Sequence, residues 1–157
     1  MLAIKIAVDS SVIVKWFKKG EEFEREALVL KDEVLSGTIT LVMSEWVFLE
    51  VVRGLTKVGY PKDKVIQAYD ILKEMVYLGF IEVVPVTTLL EKAKELVVEL
   101  NLYASDAVNL ASALMKKVDI ISEDKHLLRN SMKNYAKKFG VRIYSLREFY
   151  RMGLHIQ

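Results

Sequence analysis

The stretch Ile4-Lys5-Ile6-Ala7-Val8-Asp9-Ser10-Ser11-Val12-Ile13 decides how the chain is to be read. Apart from Lys5, residues 4–8 are β-branched or small and apolar, the make-up of a short strand covered by helices on both faces. A carboxylate, Asp9, stands where that strand must end and a helix begin. Four other segments share the character of 4–8, at 39–42, 81–84, 118–121 and 141–144. Between them apolar residues recur with helical period, near 11–18, 22–35, 44–58, 62–78, 88–100, 104–116, 131–139 and 146–151. Such alternation predicts an α/β fold with a mainly parallel sheet of about five strands. Gly37 and Gly79 follow helical stretches just before two of the strands, where a left-handed cap is needed, and Pro61 suits the first turn of a helix.

A length of 157 residues, with 52% hydrophobic residues, suits one domain over 1–157, and no repeat or Pro/Gly/Ser-rich linker divides it. No apolar run reaches the roughly 18 to 20 residues that a spanning helix needs, so the expected location is cytoplasmic. The absence of cysteine removes disulfides, thiolate nucleophiles and cysteine-based metal sites. His126 and His155 form no paired motif, which leaves oxygen as the ligand for any metal. The net charge of +2 permits a nucleic-acid partner without demanding one.

Four carboxylates stand at positions where chemistry and local structure compete as explanations. Asp9 ends the first strand and Asp124 follows the segment 118–121; each is a good helix or turn cap. Both also fall beyond the carboxyl end of a strand, where open α/β sheets bind ligands. Asp106 opens the helix at 104–116, where the macrodipole favours an acid whatever else it does. Glu50 interrupts the apolar run Trp46-Val47-Phe48-Leu49-Glu50-Val51-Val52, bordering the stripe of Val47, Phe48, Val51 and Leu55 with Gly54 one turn on. It is either an exposed flank residue or a half-buried carboxylate in need of a cation. If the four converge, hard divalent ions such as Mg²⁺ or Mn²⁺ answer their mutual repulsion, and such sites suit phosphodiester hydrolysis.

The segments VDSSVIVKWF around Asp9, FLEVVRGL around Glu50, YASDAVNLASAL around Asp106 and DIISEDKHLL around Asp124 resemble, in that order, the acidic motifs of the PIN-domain family. The likeness spans residues 6–149 and is greatest to the VapC-type toxin ribonucleases of bacterial and archaeal toxin–antitoxin pairs. It implies a three-layer α/β/α sandwich, endonucleolytic cleavage of RNA with Mg²⁺ or Mn²⁺, a homodimer and a VapB-type antitoxin partner. It also implies that Asp9, Glu50, Asp106 and Asp124 are the catalytic metal ligands, with Ser122 as the supporting hydroxyl before the last acid. Glu123 offers a second acid beside Asp124, so the last ligand has two candidates, and Arg53 stands where relatives often carry a neutral polar residue.

Lys15, Lys18, Lys19, Arg53, Lys116, Lys117, Lys125 and Arg129 are candidate phosphate contacts or simply solvated surface. Trp16, Phe17 and Trp46 suit base stacking, core packing or a partner's apolar patch. Two other readings stay open: a catalytically inactive binding module of this fold, and another carboxylate-dependent phosphoryl-transfer enzyme. Against the latter, Ser11 occupies the position where an aspartyl-phosphate enzyme usually has its second Asp, and no glycine-rich phosphate loop follows any strand.

Overall fold

The computed structural model describes residues 2–152; residues 1 and 153–157, His155 among them, lie outside the described residues. Five strands, β1 (Ile4–Val8), β2 (Ile39–Ser44), β3 (Ile81–Val84), β4 (Ile120–Ile121) and β5 (Ile143–Tyr144), form one parallel sheet in the order β3-β2-β1-β4-β5. They are joined by α1 (Ser10–Ile13), α2 (Glu24–Leu35), α3 (Trp46–Lys57), α4 (Lys62–Tyr77), α5 (Val86–Leu100), α6 (Ala104–Lys116), α7 (Asn130–Lys137) and α8 (Leu146–Arg151). Alternation along each strand sorts the side chains into two cores. Ile6, Val8, Leu41, Met43 and Ile121 pack with α1 to α4 and α8, while Ala7, Val42 and Ile120 pack with α5, α6 and α7. Helices on both faces of a parallel sheet make the expected three-layer α/β/α sandwich.

The winding positions the site. From β1 the chain moves outward through β2 to β3, then α5 and α6 return it across the sheet to β4 on the other side of β1. The carboxyl ends of β1 and β4 flank this reversal, the crevice where open α/β sheets bind ligands. Val8 pairs with Ile121, so Asp9 and Ser122 emerge side by side; Ala7 pairs with Val42, which sets Ser44 level with Asp9.

Some boundaries differ from the periodic reading, each for a local reason. The helix expected over 11–18 is α1 followed by a tighter 3-10 turn, Val14–Trp16. That turn carries Trp16 under α2, where its indole N–H donates to the Ala27 carbonyl at 2.9 Å; Trp16 is thus a core residue and not part of a docking patch. β4 and β5 start two residues later than expected. The Asp119 side chain accepts the Arg142 N–H at 2.8 Å, and the ladder proper begins only at Ile120. Gly79, with φ +87°, ends α4 in the left-handed region and turns the chain directly into β3. Gly54 serves closeness instead: a Cβ there would lie 3.3 Å from a Val14 methyl, so its absence lets α3 settle against the turn after Asp9.

Candidate functional site

Asp9 leaves the end of β1 buried, at 3% exposure. Its Oδ1 accepts from the Ser11 N–H at 3.1 Å and from the Ser11 hydroxyl, which makes it the N-cap of α1. Its Oδ2 accepts from the Ser122 hydroxyl at 2.5 Å. Ser122 is fully buried, and its Oγ in turn accepts the Asp124 N–H at 3.0 Å, so one hydroxyl ties the first acid to the last. Asp124 closes the turn after β4 by accepting the His126 N–H on Oδ1 at 2.7 Å. The capping roles read from the sequence for Asp9 and Asp124 are therefore present, and they are what orients both carboxyls.

Glu50 projects from α3 and Asp106 from the first turn of α6. Glu50 Oε1 accepts from the side-chain N–H of Asn109 at 2.9 Å, and Asn109 Oδ1 accepts from the Ser44 hydroxyl at 2.9 Å. Asn109 and Ser44 are buried, which makes this chain of donors a fixed bracket for the glutamate. The sequence analysis named neither residue. Asn109 did leave a signal, an amide three positions after Asp106 on the same helix face in an otherwise small and apolar stretch. Ser44, a small polar residue at a strand end, cannot be told from an ordinary cap.

Electrostatics binds the four acids into one group, since every pair among them interacts unfavourably. Burial, opposed by the Ser11 and Ser122 hydrogen bonds and reinforced by Asp124 and Asp106, pushes Asp9 up to about 6. Burial and the other three acids, against the Asn109 hydrogen bond, push Glu50 up to about 7. Asp106 is raised to about 6 by burial and by Asp124, with Arg129 pulling the other way. Among the described residues no three acids or imidazoles close into a preformed metal-holding group. Glu123 is drawn elsewhere: its Oε1 accepts the Leu146 N–H at the start of α8 at 2.8 Å, and its charged neighbours are Lys15, Glu22 and Glu148.

Several basic candidates are already engaged. Buried Lys15 donates to the Glu22 carbonyl at 2.7 Å, Lys18 pairs with Glu21, and Lys116 pairs with Glu82 beside Lys5. Arg129 is exposed, with its guanidinium against the His126 imidazole, and is near enough for its charge to act on Asp106.

The family model described as the PIN domain matches residues 6–132. The chain belongs to the PIN-domain family. Its PIN fold is shared with VapBC2 from Rickettsia felis, solved bound to a promoter DNA fragment, at a TM-score of 0.60 and 15% identity over 90% of this chain and 98% of that one. A toxin–antitoxin complex from Klebsiella pneumoniae matches at 0.53 and 18% identity, covering 87% of this chain and 94% of that one. FitAcB from Neisseria gonorrhoeae matches at 0.56 and 15% identity, covering 90% and 97%. At these identities the likeness of the PIN domains is one of fold. No curated protein sequence matches the chain.

Proposed function

We propose that this PIN domain is a metal-dependent endoribonuclease that hydrolyses RNA phosphodiester bonds in the cytoplasm, the toxin half of a VapBC-type pair. One observation supports the reading: four carboxylates from four separate segments face the sheet's reversal point close enough to repel one another, and burial together with that repulsion lifts three of them toward neutral pKa values. The donor set fits Mg²⁺ or Mn²⁺, because it is all oxygen and its charge is unbalanced without a cation. Asp9, Glu50, Asp106 and Asp124 would hold the ion, which supplies Lewis acidity at the phosphodiester when bound. Asp9 is aimed by Ser11 and Ser122, and Glu50 by Asn109, so neither must be ordered at the moment of reaction. Asp124 is our choice for the last ligand over Glu123, whose carboxylate is committed to the start of α8.

A protein partner is part of the same reading. An apolar cleft of about 650 Å³ between α3, α4 and β3 is lined by Trp46, Phe48, Leu49, Tyr69, Val76 and Val83, with Trp46 44% exposed. Toxin–antitoxin assemblies among the structural relatives support an antitoxin segment as a partner, and the exposed apolar lining of the cleft suits a homodimer contact.

Cleavage of a mixed RNA pool with Mg²⁺, Mn²⁺ or chelator tests the activity directly. Either ion is expected to support it, and chelation to stop it while circular dichroism remains that of a folded protein. Tight Zn²⁺ binding by calorimetry with no response to Mn²⁺ would sink the proposal. A second expected result follows from the bracket on Glu50. Asn109→Ala should raise the metal concentration needed for half-maximal cleavage by about 10- to 100-fold, the usual effect of losing a residue that orients a ligand. An unchanged metal dependence would make Asn109 a core residue only.

A further inference from the structure

Beside the acids a separate cleft of about 260 Å³ opens between the start of α6 and the turn after β4, and Tyr103, His126 and Arg129 form its polar wall. Tyr103 precedes α6 in extended backbone, φ −61° and ψ 150°, and its side chain stands 69% exposed. An exposed ring ordinarily moves freely. Here its position is fixed by an edge-to-face contact with His126, centroids 5.4 Å apart and planes at 79°, and the Arg129 guanidinium meets Nδ1 of the same imidazole. The three side chains thus form a braced group with aromatic surface still open to solvent.

None of the four acids lines the cleft, but two of its residues adjoin them. Tyr103 lies three residues before Asp106 at the same end of α6, and the His126 N–H is the donor to Asp124. We propose that this cleft is a subsite for one unpaired nucleotide of an RNA strand, its base stacked on Tyr103 and its phosphate held by Arg129, adjoining the bond to be cut. The inference rests on the ribonuclease reading and adds the residues that would hold the strand beside the acids.

Three physical arguments lead there. Acids alone repel a polyanion, so the strand needs a cation beside them, and a planar guanidinium suits a phosphate's paired oxygens. A cleft of about 260 Å³ suits one group of the strand and not a longer stretch of it. Finally, an aromatic face accepts any base, but only one not already stacked in a duplex.

The test uses Asp9→Asn protein to separate binding from cleavage, with a short dye-labelled single-stranded RNA followed by fluorescence anisotropy in Mg²⁺. Adding Tyr103→Ala is expected to weaken binding about tenfold, the loss typical of one stacked base, and Tyr103→Phe to leave it unchanged. Arg129→Gln should lower the slope of log affinity against log salt by about 1. Binding to duplex RNA should not depend on residue 103. Superimposable curves for Tyr103→Ala and its parent overturn the subsite, as does a Tyr103→Phe variant as weak as Tyr103→Ala. If wild-type protein cleaves RNA and Tyr103→Ala binds normally, the subsite alone fails. If binding depends on Tyr103 and no RNA is cut with either ion, the subsite stands and the nuclease reading fails.

Discussion

Asp9→Asn is expected to reduce RNA cleavage about a thousandfold or more, the scale of removing one member of a cooperating set. The substitution separates the two roles of this side chain. Its Oδ1 still accepts the Ser11 N–H that caps α1, while the amide nitrogen faces Ser122, whose Oγ has acceptor capacity. Shape and cap remain; the charge is lost. Glu50→Gln, Asp106→Asn and Asp124→Asn should behave alike, and double substitutions should add little to the singles. Cleavage and melting temperature measured on each purified variant decide between roles. Full activity in Asp9→Asn ends the assignment of this site, and lost activity with a collapsed melting temperature returns Asp9 to a purely structural role.

The second large effect is on stability without metal. Asp9 and Asp106 rise from 3.8 to about 6, and Glu50 from 4.5 to about 7. Well below their unfolded values, at about pH 2 to 3, these groups hold their protons whether the chain is folded or not, so they leave stability untouched. As pH climbs, the unfolded chain releases protons first and the folded state loses ground, until the folded groups ionise near pH 6 to 7 and the loss levels off. For buried Asp9 alone the rise from 3.8 to about 6 corresponds to on the order of 3 kcal/mol. Glu21, Glu82 and Glu148 are shifted downward and act in the opposite sense, so the informative quantity is a difference between variants. In chelator, wild type and Asp9→Asn should melt together at about pH 3 or below, and the variant about 5–10 °C higher at pH 8. Mg²⁺ or Mn²⁺ should raise the wild type and leave the variant nearly unmoved. Parallel melting curves across this range would show that Asp9 is not held against its charge.

Much of this architecture is legible in periodicity. Segments such as Ile4–Val8 and Ile81–Val84 are apolar except for Lys5 and Glu82, which pair with each other at 3.1 Å, because helices cover both faces of the sheet, and a parallel sheet follows from helices lying between them. Composition says less where side chains replace ladder bonds: nothing in the sequence marks Asp119 as the acceptor that shortens β4 and β5. The four acids stood out through their places relative to strand ends and an apolar stripe. Their brackets did not, since Ser44 and Asn109 meet across 65 residues and only the folded chain joins them. Glu123 and Asp124 are adjacent in the chain and chemically alike, and the separation of their roles depends on α8, a distant helix whose first N–H captures one of them.

The order of the strands also governs when this protein becomes what it is. The contact between Ser122 and Asp9 joins residues 113 positions apart, and β1, synthesised first, acquires its second neighbour only when β4 has emerged. A nascent chain that has paired β1, β2 and β3 already carries Asp9 and Glu50, yet it lacks Asp106 and Asp124 and leaves one side of its central strand open. Such non-local pairing is slow, and an open apolar edge invites chaperones. The acid cluster is therefore a late product of biogenesis: until β4 has paired with β1, the chain has no assembled site, and whatever chemistry the acids perform must wait for that pairing.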